Sequence, residues 1–257
     1  MSFSAKNLVV CRNGNRILDD VSVEVPAGEL TIVLGQNGAG KSTLLRALAG
    51  GLKPDSGTVF CGEAPLSALS ARELARRRAV MMQSTQAAFD FTVEETVLLG
   101  RTPWMDAVET RRDREVAANA LRTVGLEKFA RRRLSTLSGG ERQRVQIART
   151  FAQGITPTGT PTTFFLDEPL AALDFRHRAE IMRCLRELAE AGNAVFVVLH
   201  DLNLSMRFAD RVLVMDRGKI VLSGAPEAVL TPENLARVFG IETEIIRDSR
   251  GAFVRIL

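Results

Sequence analysis

The run Gly35-Gln36-Asn37-Gly38-Ala39-Gly40-Lys41-Ser42-Thr43 has the spacing G-x-x-x-x-G-K-[ST], which suits it to holding phosphate. Its glycines let backbone N–H groups close around an anion where a Cβ would intrude. The residues that follow, Leu44-Leu45-Arg46-Ala47-Leu48-Ala49, continue as a helix whose N-terminus offers the positive end of its dipole. Lys41 has the length to reach the β- and γ-phosphates of a nucleoside triphosphate, and the Ser42 hydroxyl suits Mg²⁺. A strand before and a helix after argue against a glycine-rich turn carrying a chance Lys-Ser pair. A second run, Phe164-Phe165-Leu166-Asp167-Glu168, ends an apolar strand on two acids. Asp167 is placed to join the Mg²⁺ coordination sphere, directly or through water. Glu168 then falls near the γ-phosphate, where a carboxylate can polarise an attacking water. In isolation two such acids read as solvated loop residues; beside a phosphate loop they read as catalytic.

These groups need a scaffold that brings strand ends together. Short β-like runs alternate with amphipathic helical stretches, which predicts an α/β core with a parallel sheet. The apolar runs 30–34, 164–166 and 194–199 predict buried strands. Residues 1–27 and 211–223 alternate more, as antiparallel strands do. Between Thr92 and Gly154 helical periodicity replaces the strand signal, so an all-helical subdomain is expected at 92–154. Residues 1–91 and 155–257 then form the core with an N-terminal antiparallel β subdomain, all within a single domain spanning 1–257. The Pro-, Gly- and Thr-rich segment 154–163 is expected to be a surface loop.

Composition excludes several classes. With 46% hydrophobic and 25% charged residues the chain of 257 is an ordinary globular protein rather than a disordered one. No stretch approaches the roughly 20 apolar residues of a membrane span. The N-terminus lacks a signal-peptide apolar region, so a cytosolic protein is expected. Three widely spaced cysteines without a CxxC pair fit reduced, buried thiols better than disulfides or zinc. The net charge of +4 comes from scattered basic residues, apart from Arg76-Arg77-Arg78 and Arg131-Arg132-Arg133. Such charge does not argue for a nucleic-acid partner.

The segment Leu137-Ser138-Gly139-Gly140-Glu141-Arg142-Gln143-Arg144-Val145-Gln146-Ile147-Ala148-Arg149 resembles the signature sequence of ABC ATPases, with Glu141 where many members have Gln. A Ser and two glycines opening a helix present backbone N–H groups outward as a second anion site. The resemblance covers nearly the whole chain and implies the P-loop ABC ATPase fold, with ATP and Mg²⁺ as ligands. It also implies a head-to-tail homodimer in which Ser138, Gly139, Gly140 and Glu141 of one copy face the nucleotide of the other. Gln83 resembles the Q-loop glutamine, a Mg²⁺ contact near the membrane partner. Leu170-Ala171-Ala172-Leu173-Asp174 resembles the D-loop, and His200 looks like the switch histidine beside the γ-phosphate. His177 is expected to be structural. Members of the family place an aromatic residue on adenine, but this chain has no Tyr; Arg12 in Val10-Cys11-Arg12-Asn13 is the candidate guanidinium stacker.

The segments Thr92–Pro103, His200–Ser205 and Leu230–Gly240 resemble those of importers of iron-siderophore, haem and cobalamin cargo. The loop at 154–163 is similar to a feature of the haem branch. The resemblance implies a peripheral subunit on the cytoplasmic face of the inner membrane, joined to two transmembrane permease subunits and served by a substrate-binding protein. Competing readings are import of cobalamin or ferric siderophore, an exporter motor, or a soluble ABC ATPase such as an iron–sulfur-assembly ATPase. The single module and the absence of long heptad runs count against coiled-coil and two-module soluble members.

Overall fold

A computed structural model describes residues 2–82, 90–249 and 251–257. In chain order the strands are β1 (Phe3–Arg12), β2 (Asn15–Val25), β3 (Leu30–Gly35), β4 (Ser56–Cys61), β5 (Ala64–Pro65), β6 (Arg78–Met81), β7 (Thr163–Asp167), β8 (Ala194–Val198), β9 (Arg211–Asp216), β10 (Lys219–Gly224), β11 (Thr243–Asp248) and β12 (Gly251–Ile256). The helices are α1 (Lys41–Leu48), α2 (Ala71–Arg77), α3 (Val93–Leu98), α4 (Arg111–Thr123), α5 (Gly139–Gly154), α6 (Phe175–Glu190), α7 (Leu202–Phe208), α8 (Pro226–Val229) and α9 (Pro232–Phe239).

The central sheet has six strands in the order β10-β9-β3-β8-β7-β6. Five run parallel, and β10 returns antiparallel on β9. Every residue of β3, β7 and β8 is buried, because both sheet faces are covered. Alternate side chains divide accordingly. Leu30, Ile32 and Leu34 enter one core with the helices α3 to α6, whereas Val33 packs with α1 and the N-terminal strands. This two-sided burial is why those strands read as unbroken apolar runs. The four-stranded sheet β2-β1-β4-β5 is antiparallel and half-exposed, which accounts for its alternating pattern.

Between β6 and β7 the described chain carries the helices α3, α4 and α5. α3, α4 and α5 each open on a capping box, set by Thr92 with Glu95, Thr110 with Asp113 and Ser138 with Glu141. A buried ion pair, Arg101 with Asp113 at 3.0 Å, sits inside this group. At its far end α5 is fastened to the sheet. The Gln153 amide donates to the carbonyls of Ala75 and Arg78 at 3.3 and 3.1 Å, and its oxygen accepts from the Val80 N–H at 3.2 Å.

The segment between α5 and β7 is an exposed loop, held by Arg112 donating to the Pro157 carbonyl and by the Thr162 hydroxyl donating to that of Gly154. β11 and β12 form a separate hairpin that sequence periodicity did not announce. Asn203 of α7 pins it, donating to the Val254 carbonyl and accepting from its N–H. Cys61 is buried, while Cys11 and Cys184 are half-buried, and none of the three is in a disulfide. Among the described residues no helix is long and apolar enough to cross a membrane.

Candidate active site

β3, β7 and β8 all deliver chemistry at their carboxyl ends, where ligands of open α/β sheets bind. β3 runs into the phosphate loop, β7 ends on Asp167 with Glu168 next, and His200 follows β8. Around them opens a cavity of about 630 Å³ lined by Asn37 to Thr43, Glu168, His200 and Ile17. Gly40 caps α1 at φ +99°, and a Cβ there would stand 2.8 Å from the Ile17 carbonyl oxygen. Only glycine lets the loop close tightly enough to turn its N–H groups inward. Gly35 and Gln36 lie behind the lining; the Gln36 amide donates to the Val238 carbonyl at 2.8 Å.

Lys41 is buried, and its ammonium donates to the carbonyls of Gly35 and Gln36 at 2.8 and 2.9 Å. Ser42 donates to Asp167 Oδ1 at 3.0 Å, so the hydroxyl and carboxylate expected to share Mg²⁺ already touch. Burial lowers the Lys41 pKa, with Glu168 and Asp167 opposing. Burial raises the Asp167 carboxyl, against the Ser42 hydrogen bond. Burial thus opposes both charges: an anion beside Lys41 and a cation beside the Ser42–Asp167 contact would favour them. A phosphate chain with a hard divalent cation on oxygen ligands supplies both, so the residues present fit the pair.

Glu168 has φ +49°, a left-handed conformation uncommon outside glycine and costing about 1–3 kcal/mol. That turn directs its carboxylate to His200, whose Nε2 lies 2.8 Å from Glu168 Oε1. The pair joins the group expected to activate water to the group expected to sense phosphate.

The other expected residues lie elsewhere. Ser138, Gly139, Gly140 and Glu141 are not in the cavity lining, and Ser138 and Gly139 are exposed at the start of α5. Glu141 is committed to its own helix: the Ser138 N–H donates to its carboxylate at 2.7 Å, and these bonds hold its pKa low. In the segment 170–174, Leu170 and Leu173 are buried anchors, while Ala171 and Ala172 are exposed. His177 pairs with Asp174 at the start of α6, a helix-capping role. Arg12 is exposed, donates to the Cys11 carbonyl, and does not line the cavity; the apolar wall there is Ile17. Gln83 lies outside the described residues. Sequence reasoning passed over Ile17, which precedes the buried Leu18 in β2, and Gln143, whose amide reaches the Glu168 carbonyl.

The chain is similar to known proteins of one family. Residues 18–171 match the ABC transporter family. The hemin import ATP-binding protein HmuV of Bordetella pertussis is 44% identical over 249 residues, covering 96% of this chain and 95% of that protein. Its namesake in Escherichia coli O157:H7 is 44% identical over 246 residues, covering 95% and 94%. A metal-chelate type ABC transporter solved in an inward-facing conformation matches with TM-score 0.81 and 26% identity, over 100% of this chain and 96% of that one. A bacterial ABC transporter cassette solved as a dimer matches with TM-score 0.78 and 28% identity, over 87% of this chain and 98% of that one. With a phosphate loop inside the matched span and relatives aligned along almost its whole length, the chain belongs to the ABC transporter family, among its ATP-binding subunits.

Proposed function

We propose that this chain hydrolyses ATP to energise a membrane importer whose cargo is haem or another iron chelate. The observation that carries the hydrolytic part is that Lys41, Ser42 and the Glu168–His200 pair line one cavity of about 630 Å³, with Asp167 behind Ser42 and in contact with its hydroxyl. The cargo reading is supported by the hemin import relatives. The fold does not separate import from export, since a bacterial Atm1-family exporter matches 93% of the chain with TM-score 0.78.

Bound Mg²⁺ supplies charge neutralisation for the phosphates, held by Ser42 and Asp167 with Gln83 as the further contact. The chain's own residues do the rest. Lys41 and the N–H groups at the start of α1 bind and orient the phosphate chain. Glu168 takes a proton from the attacking water, and His200 holds that carboxylate in place. Ser138, Gly139, Gly140 and Glu141 belong in this reading to the nucleotide of a second, head-to-tail copy. The helices of 92–154 carry the resulting motion to two permease subunits, which receive cargo from a substrate-binding protein. The subunit sits on the cytoplasmic face of the membrane, attached through the permease.

Lys41→Ala is expected to weaken ATP binding by roughly 30-fold or more, because losing one member of a buried charge pair costs about 2–5 kcal/mol. Titration with a fluorescent ATP analogue measures it, and an unchanged affinity would remove Lys41 from the phosphate site. The transport reading is tested by purifying tagged Glu168→Gln protein from detergent-solubilised membranes of its host with ATP and Mg²⁺. A polytopic membrane protein should co-purify, and haem-loaded binding protein should then stimulate the ATPase of the wild-type assembly. Recovery of soluble partners alone would overturn import and leave ATP hydrolysis standing.

A further inference from the structure

Gln143 lies one turn into α5 and reaches out of its helix to the segment that carries Glu168. Its Nε2 donates to two carbonyls, those of Glu168 at 3.1 Å and Pro169 at 2.9 Å. Glu168 is the residue at φ +49°, a conformation that persists only where its surroundings over-determine it. The Glu168 N–H is held by the Val198 carbonyl at 3.2 Å, on the strand that leads to His200. Its carbonyl also accepts from the Ala171 N–H at 3.3 Å. Gln143 adds a grip from outside this local segment and its neighbouring strand. The approach is close by construction: a Cβ on Gly140 would stand 2.9 Å from the Ala172 carbonyl oxygen. α5 therefore rests directly on residues 168–172, and the amide meets both carbonyls without a gap for water.

We propose that Gln143 is a positioning residue for hydrolysis, holding the 168–169 backbone so that the Glu168 carboxylate stays aimed at the reacting water. The proposal rests on the reading of Glu168 as the base. Gln143 touches no substrate; it acts through the turn whose geometry sets the carboxylate 2.8 Å from His200. Because α5 also begins at Ser138, one side chain ties that exposed helix opening to the base of the same chain's own site.

Gln143→Met keeps the length of the side chain and removes both donors. Gln143→Glu keeps the shape and sets an acceptor against the two carbonyls. Both are expected to lower kcat roughly 10- to 100-fold, the scale on which a misplacement of about 1 Å acts, with KM and ATP affinity unchanged. Introduced into Glu168→Gln, Gln143→Met should add no further loss to single-turnover hydrolysis, since the group it positions is already gone. A structural role alone would lower ATP affinity or melting temperature and would persist in that background. Parental kcat in both variants, or an equal loss in the Glu168→Gln background, would overturn the proposal. If Glu168→Gln itself hydrolyses normally, the base assignment fails and takes this inference with it. An inactive Glu168→Gln beside a fully active Gln143→Met removes Gln143 alone.

Discussion

Glu168→Gln protein should bind ATP as the parent does and hydrolyse it roughly 10²- to 10⁴-fold more slowly, the usual worth of a positioned general base. The amide occupies the same space and can adopt the same backbone turn, so the loop, Lys41 and the Ser42–Asp167 contact are left as they are. What is lost is the carboxylate able to accept a proton beside His200 Nε2. Phosphate release under saturating ATP gives kcat, and analogue titration gives affinity. Turnover close to the parental value would assign the proton to another group. Because ATP binding survives, the variant should also accumulate in the nucleotide-bound dimer, which is why it is the form chosen for capturing a membrane partner.

The second large effect concerns stability. Arg101→Met should destabilise the fold by about 3–5 kcal/mol, the cost of leaving a buried charge without its partner. The Arg101 side chain is 1% exposed and that of Asp113 6%. Its guanidinium donates to Asp113 at 3.0 Å and to the carbonyls of Ala152 and Ile155, and it lies 5.7 Å from the Trp104 ring centre. Methionine fills the space and strands all three acceptors. Urea unfolding at neutral pH measures the loss; a change below about 1 kcal/mol would mean that the carbonyls and carboxylate find other donors. The pH dependence has a definite sign. Burial pushes the Asp113 carboxyl up, but the Thr110 hydrogen bonds and Arg101 outweigh it and hold the folded pKa below the ordinary value. A depressed folded pKa contributes stability above the unfolded value of about 3.9 and loses it as pH falls through the folded one. The parent should therefore lose more stability than Arg101→Met between pH 5 and 3.

Which features were legible in the sequence follows from how local their causes are. The phosphate loop needs glycines and a lysine within one turn, so Gly35 to Thr43 declared itself and the cavity formed there. Strands covered on both faces must be apolar throughout, so β3, β7 and β8 were readable from their runs. The helical opening at Ser138 was equally plain, although Glu141 serves its own helix cap. What escaped depends on contacts between distant segments. Arg101 and Asp113 look like two surface charges until the fold closes over both. Arg76 belongs to the basic run Arg76-Arg77-Arg78, where nothing local marks it out, yet it donates to the Pro103 carbonyl and stacks over Trp104 at 5.5 Å. Arg12, the candidate beside adenine, is exposed and outside the cavity lining, whereas Ile17 of the same strand pair lies in it, a difference that only the folded register shows. The β11–β12 hairpin depends on Asn203, some 50 residues earlier, and no local pattern in 243–256 signals that dependence.

Two of the three glutamines of α5, Gln143 and Gln153, have a mechanical meaning. Gln143 grips the carbonyls after β7, and Gln153 grips α2 and β6, ten positions on, or roughly 15 Å of helix. A beam fixed at two supports cannot tilt about one of them without straining the other. A load applied at the exposed Ser138 tip is therefore shared between the acid-bearing end of β7 and the edge strand β6. The helix works as a yoke, and a displacement at the tip or at either support is felt at the other two points.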